Sequence, residues 1–533
     1  MVRRATMKNY DVTIIMPPKW DYREPWTAPA YICEYLRHLG CNVQFLDYNI
    51  RLYNACKEIG LEDLWTSSEY FQGWVKGEFN ILSTLLDLNE IQGDIVGFST
   101  TLTNREFTKH LAAKIRNQFP NKKIMMGGHI LFFQHEVDDM PLNRADFICK
   151  GEAEYTLRDL FENDFENMES IEGLYLPQND KWQLTSDRDL IKDLDSIPFP
   201  TFEEIDNMQA YPVPDLPLMS SRGCISRCIF CNDRIRTPLY RTRSAIHQVD
   251  ELQYLKERYN TDFFIYNDPL MNGNLRVFEE KADELIRRNL DVQYGGNIMI
   301  RPDMPEDLFK KLRQSGLTVA IMGVETGSTT TAKAMQKRHT REEAAAFIRS
   351  CKNAGMRVEL NLIVGFPTET EEHFEETLSF LEENQQYIDC VVSAATFNIA
   401  FSDLWEKLDE FNIVKQNYSV HNSWYTKDLS NTLDIRLERL KRLVETASGM
   451  GIMNVRTDYE IEKETSFNLN TLADKYQQYW KNKTDCSDEE RKKNLAIAKE
   501  LRHRLTRQKV LKWITQKGLL KYVVAVRQKL GYV

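Results

Sequence analysis

Within the stretch SSRGCISRCIFCND, Cys224, Cys228 and Cys231 are separated by three and then two residues. That spacing lets three thiolates reach one small volume from a single loop, which requires a rigid frame to carry the loop. Zinc ordinarily takes four protein ligands, and no fourth Cys or nearby His completes the set. A zinc reading therefore needs a ligand from elsewhere in the chain. Thiolates also hold iron–sulfur clusters, and a 4Fe–4S cluster on three of them keeps one iron open to another molecule. The spacing favours the cluster, with Cys224, Cys228 and Cys231 as its metal ligands.

The frame is legible on both sides of this loop. DVTIIM (11–16), CNVQFLDYN (41–49), DIVGFST (94–100), KIMMGGH (123–129) and ADFICKGEAE (145–154) read as strands, with helical spacing between them. Strands alternating with helices predict a parallel, doubly wound sheet whose ligands sit at the strand carboxyl ends. Those ends carry Ser99, Thr100, Thr101, Gly127, Gly128 and Gly151. His129 is expected to be a surface residue of the glycine loop. No Gly-x-Gly-x-x-Gly or Walker A stretch follows the first strand. Residues 151–215, with short turns and the proline-rich YPVPDLPL, read as a linker.

From Leu216 a second series begins: LPLMSS, DFFIYND (262–268), VQYGGNIMI (292–300), LTVAIMGVETGS (317–328), RVELNLIVGFP (357–367) and CVVSAATFNIAF (390–401). Six strands with intervening helices predict a partial α/β barrel, with functional residues at the C-terminal strand ends. The cysteine loop directly follows the first of them. From 402 to 533 the chain reads as helical and polar.

Between roughly Asp11 and Phe401 the chain resembles the cobalamin-dependent radical S-adenosylmethionine (SAM) enzymes. The resemblance rests on the cysteine spacing, on GFST, MMGGH and KGEAE in that order, and on GVETGS and NLIVGFPTET. It implies an α/β protein with a Rossmann-like cobalamin-binding domain (1–150), a linker (151–215), a partial (β/α)6 radical SAM barrel (216–401) and a helical C-terminal region (402–533). It implies three cofactors: a 4Fe–4S cluster, S-adenosylmethionine and cobalamin. The glycine and hydroxyl residues at the first set of strand ends become the cobalamin contacts. The Asp-x-His-x-x-Gly stretch that supplies a cobalt ligand in other corrinoid proteins is absent, so no histidine is expected on cobalt.

The same resemblance assigns Phe230 to the SAM adenine, Asp268 to the SAM ammonium, Arg301 to its carboxylate, and Glu325 and Ser328 to its polar groups. Gly365 is placed where the chain approaches the adenine closely. For Asp268 a turn or helix cap and for Arg301 a structural ion pair are the plain alternatives. An acid beside the apolar run VAIM needs a partner when buried, which favours a site role for Glu325. Trp424, Tyr425 and Thr426 resemble a substrate-contact stretch, although such aromatics are more often core.

The implied function is an enzyme that generates a 5′-deoxyadenosyl radical and modifies an unactivated carbon, by C-methylation. Cobalamin-dependent cyclisation, ring contraction or rearrangement without methyl transfer is the competing reading. A non-catalytic iron–sulfur protein is the remote one. An external one-electron reductant is required, and the substrate is not identified by any residue.

Composition bounds the rest. A content of 42% hydrophobic and 28% charged residues is ordinary for globular chains. No apolar run reaches the roughly 18 residues of a membrane span, and the start MVRRATMKNYDV has no apolar signal core. A cytoplasmic protein is expected, its ten cysteines being thiols plus a cluster site rather than a disulfide framework. From Arg491 onward thirteen Lys and Arg oppose the single Glu500, leaving the remainder near −22. Such a tail can rest peripherally on an anionic membrane, but packing on the acidic remainder is the favoured reading. No nucleic-acid module accompanies the charge.

Overall fold

The computed structural model describes residues 10–58, 62–65, 86–202, 216–399, 402–415 and 424–454, with a few isolated positions besides. Apart from isolated positions, the C-terminal tail, and with it the reading of its charge, lies outside the described residues.

The first unit alternates strand and helix: β1 (Val12–Met16), α1 (Thr27–His38), β2 (Val43–Asp47), α2 (Tyr48–Glu58), β3 (Ile95–Ser99), α3 (Arg105–Gln118), β4 (Lys123–Gly127) and β5 (Phe147–Cys149). All five strands are parallel, in the order β2-β1-β3-β4-β5. Apolar runs form these strands because both sheet faces are covered. Side chains alternate accordingly, Ile14 and Met16 joining one core cluster and Ile15 the other. Strand order reverses between β1 and β3, so the ligand crevice falls at the carboxyl ends of those two strands.

The expected linker does not begin at 151. Helix α4 (Glu154–Glu162) packs against α1, and strands β6 (Leu174–Gln178) and β7 (Lys181–Leu184) extend the first sheet antiparallel beyond β5. Asn179 and Asp180, both at positive φ, make the hairpin turn. The hairpin pairs the otherwise open edge of β5, which an exposed parallel sheet would leave as an aggregation template. Farther on, Ile191, Leu194 and Ile197 pack with Tyr31 and Tyr35 of α1.

The second unit starts at β8 (Leu216–Leu218). A two-stranded ribbon, β9 (Ser221–Arg222) with β10 (Arg241–Thr242), follows and encloses the cysteine loop. Then come α5 (Ala245–Tyr259), β11 (Phe263–Tyr266), α6 (Leu275–Arg288), β12 (Gln293–Ile298), α7 (Glu306–Gln314), β13 (Leu317–Glu325), α8 (Thr329–Ala334), α9 (Arg341–Asn353), β14 (Arg357–Val364), α10 (Glu371–Asn384) and β15 (Cys390–Thr396). The strands lie parallel and in chain order, the six expected ones extended by a short seventh, Met453–Asn454. Among the described residues the sheet does not close, as expected of a partial barrel. Helix starts are fixed locally: Ser244, Asn274, Ser328, Thr340 and Thr370 each accept a backbone N–H of the following first turn.

The described part of the C-terminal region is not purely helical. A hairpin of β16 (Ile413–Lys415) and β17 (Trp424–Thr426) precedes helix α11 (Leu433–Gly449). Trp424 is buried against Phe397 and belongs to the core. One continuous core cluster runs from Ile14 of the first sheet and Leu36 of α1 into the barrel strands.

Candidate functional site

The cysteine loop hangs from its ribbon neck. Gly223 begins it at φ +81, and a Cβ there would lie 2.5 Å from the Leu239 carbonyl, so the turn requires glycine. The Ile229 N–H donates to the Met335 carbonyl at 3.1 Å, tying the loop to the turn after α8. Burial, Asp233 and then the neighbouring thiols of Cys228 and Cys224 push the Cys231 thiol up to about 12. Burial likewise raises Cys228. The three sulfurs therefore act on one another across one space. Among the described residues no three Cys, His, Asp or Glu side chains gather tightly enough for a single metal ion. Metal would restore the thiolate forms that burial disfavours.

Lys337 borders these cysteines. Burial works against its charge, yet Glu325 and the Cys228 and Cys231 thiols hold its pKa above the ordinary value. Its Nζ lies 3.3 Å from Glu325 Oε1, and the Glu325 backbone sits at φ +67, a costly conformation for a residue with a Cβ. The expected partner of the buried acid is thus a lysine twelve residues onward in the chain, which no spacing rule singles out.

The other residues assigned to SAM separate. Asp268, 1% exposed, accepts from the Ser220 N–H at 2.8 Å and from the hydroxyls of Ser220 and Ser221. It therefore fixes the end of the first barrel strand; burial raises its carboxyl to about 6 against those hydrogen bonds. Its neighbour Asn267 is the exposed one, donating to Thr27 Oγ1 at 2.7 Å across the junction. Arg301 forms a two-point pair with Asp303, and its remaining amine donates to the carbonyls of Asn272 and Gly273. The structural ion pair named as the alternative is thus present. Ser328 is buried and caps α8. Gly365, at φ +79, presses against the Arg436 side chain of α11, where a Cβ would lie 2.2 Å from Cγ. Phe230 is half-buried and packs on the core cluster that contains Ile229, Met335 and Phe366.

A cavity of about 340 Å³ opens between the two units. Ser99, Gly127, Gly128 and Gly151 line it from the first sheet; Leu218, Met219, Arg222, Arg236 and Asn267 line it from the barrel side. Thr100 and Thr101 do not reach it. Both are buried, the Thr100 N–H donating to Gly127 and the Thr101 N–H to the Asn104 side chain. His129 belongs to the cavity wall and is not the surface residue expected: burial and then Arg236 lower its pKa to about 4, leaving a neutral imidazole at pH 7. The loop after β1 contributes Trp26. Cβ atoms added at Gly127 and Gly151 would meet nothing closer than 3.8 Å, so these glycines keep open room that larger residues would fill.

A doubly wound sheet is set over an open parallel barrel, with a three-cysteine loop after the first barrel strand. Residues 218–381 match the Radical SAM superfamily. A radical SAM domain implies S-adenosylmethionine and a 4Fe–4S cluster. The chain is 25% identical over 302 residues to an uncharacterized methyltransferase of Pyrococcus horikoshii, covering 56% of this chain and 65% of that protein. It is 28% identical over 350 residues to an anaerobic magnesium-protoporphyrin IX monomethyl ester cyclase of Cereibacter sphaeroides, covering 62% and 56%. The chain thus spans less than two thirds of the length of either relative. Among solved structures, the methyltransferase TsrM of Kitasatospora setae with cobalamin and a [4Fe-4S] cluster aligns at a TM-score of 0.62, 12% identity, over 93% of this chain and all of that one. The cobalamin-dependent enzyme OxsB with aqua-cobalamin aligns at 0.62 and 15%, over 98% and 81%. These likenesses show the shared fold. Among the described residues no helix is long and apolar enough to cross a membrane.

Proposed function

We propose that this chain is a cobalamin-dependent radical SAM enzyme that methylates an unactivated carbon. The observation that carries the reading is the cavity itself. It lies at the crevice of the doubly wound sheet, is floored by glycines, and is roofed by the strand and ribbon that lead into the cysteine loop. When bound, the cluster and SAM supply radical chemistry and cobalamin supplies methyl transfer; the protein supplies placement. Cys224, Cys228 and Cys231 would hold the cluster, while Lys337 and Glu325 set the charge beside it. Ser99, Gly127, Gly128 and Gly151 would border cobalamin. The neutral His129 lies in that wall, but the sequence lacks the Asp-x-His-x-x-Gly stretch, so the cofactor is expected without a histidine on cobalt. The one-electron reductant comes from outside the chain.

Methyltransferase as part of a relative's name supports methylation; cyclase as part of another's supports the alternative without methyl transfer. Anaerobic reconstitution with iron, sulfide, cobalamin and SAM, followed by mass spectrometry on candidate substrates, separates them. A product heavier by one methylene with two SAM consumed per turnover supports methylation, and a product of unchanged carbon count supports the alternative. Absence of SAM cleavage by the loaded protein refutes both.

A further inference from the structure

The ribbon at the neck of the cysteine loop carries a feature that the cofactor contacts do not use. Arg222 and Arg241 are register partners on β9 and β10, so their side chains leave the same face. Two guanidinium groups side by side repel unless carboxylates answer them. The answer comes from the first unit, from the residues just after Gly151. Arg241 donates to both oxygens of Glu152, each at 2.9 Å. Arg222 lies 3.3 Å from Glu152 and bonds both oxygens of Glu154. The Glu152 carboxylate also accepts the Ile191 N–H at 2.8 Å. All four side chains are 14% exposed or less, and Glu152, Glu154 and Arg222 belong to the cavity wall.

We propose that Glu152 and Glu154 are positioning residues that hold the cysteine loop in register with the cavity by clamping both strands of its neck. Cys224 follows Arg222 by two residues, so a shift of Arg222 moves the first sulfur. A planar guanidinium that bridges two carboxylates fixes direction as well as distance, which a lysine cannot do. The inference rests on the reading of the loop as a cluster site where SAM binds.

The test uses the full chain with its cluster reconstituted. The affinity for SAM is read from the change in the electron paramagnetic resonance spectrum of the reduced cluster during titration. Glu154→Gln is expected to weaken SAM at least tenfold with unchanged iron content. Arg222→Lys, which keeps the charge, is expected to do the same. The double variant should be less than twofold worse than either, because both act through one contact. Glu90→Gln, which breaks an ion pair with Arg51 away from the junction, should stay within twofold of the unaltered protein. Glu154→Gln with a loaded cluster and SAM affinity within twofold of the unaltered chain would overturn the proposal, as would effects that multiply in the double variant. Should Glu154→Gln fail to load a cluster, Arg222→Lys decides by the same criterion. An unaltered chain that loads a cluster but shows no spectral response to SAM overturns the functional reading, and the proposal with it.

Discussion

Adjacent glycines at the end of β4 separate stability from binding. A methyl group at Gly128 would lie 2.1 Å from the Thr100 carbonyl oxygen and 2.7 Å from its nitrogen, both backbone atoms that cannot swing aside. The residue also sits at φ 121 and ψ 160, a region open almost only to glycine at a cost of about 1–3 kcal/mol for others. Forced overpacking adds about 1–3 kcal/mol, so Gly128→Ala should destabilise the first unit by at least about 2 kcal/mol. At Gly127 the same methyl would be 3.8 Å from Cys149 Cβ, in ordinary contact, and the backbone is not left-handed. There the loss of chain entropy in the unfolded state offsets any cost, and stability should change by less than about 1 kcal/mol. Yet that methyl projects into cavity space. Hydrogen exchange of the β4 amides measures the opening free energy of the unit; a 2 kcal/mol loss corresponds to roughly 30-fold faster exchange. Cobalamin uptake is read from its visible absorption. The expected pattern is fast exchange for Gly128→Ala, and near-normal exchange with weakened cobalamin binding for Gly127→Ala. Exchange in Gly128→Ala within threefold of the unaltered protein would refute the steric reasoning.

Changing Cys224, Cys228 or Cys231 to Ala should abolish SAM cleavage while β4 exchange is unchanged; cleavage surviving in the triple variant contradicts the ligand assignment. Lys337→Met removes a cation beside Cys228 and Cys231, so the cluster potential should fall by tens of millivolts or more, as local charge tunes such potentials; redox titration checks it. Asp268, its pKa raised by burial to about 6, favours the protonated folded state. Its contribution to stability is complete below the unfolded value near 3.8 and is lost as pH rises through about 6. Asp268→Asn should flatten that part of the stability profile, measured by denaturant titration between pH 4 and 7. His129→Ala should leave the spectrum of bound cobalamin that of a form without a histidine ligand, and a change on substitution would place the imidazole on cobalt.

The first sheet was legible in the sequence because parallel strands buried on both faces must be apolar runs; the barrel strands, buried at alternate residues, were legible by their short length and β-branched content between helices of ordinary amphipathic spacing. The cysteine loop was legible for a different reason: its chemistry is local, three ligands within eight residues. The hairpin Leu174–Leu184 had a signal, the Asn179–Asp180 turn between short apolar runs, although its place on the sheet edge depends on β5. What tertiary structure alone decided is which side chain of a neighbouring pair faces the junction. Asn267 reaches Thr27 across it and Asp268 turns to Ser220, because successive residues at a strand end point to opposite sides. Likewise Glu325 required a partner by its burial, but only the turn after α8 brings Lys337 to it. Glu152 and Glu154 meet Arg241 and Arg222 across about 70 to 90 residues of chain. Charge pairs at such separation follow from how two folded units dock, and residue spacing carries no record of it.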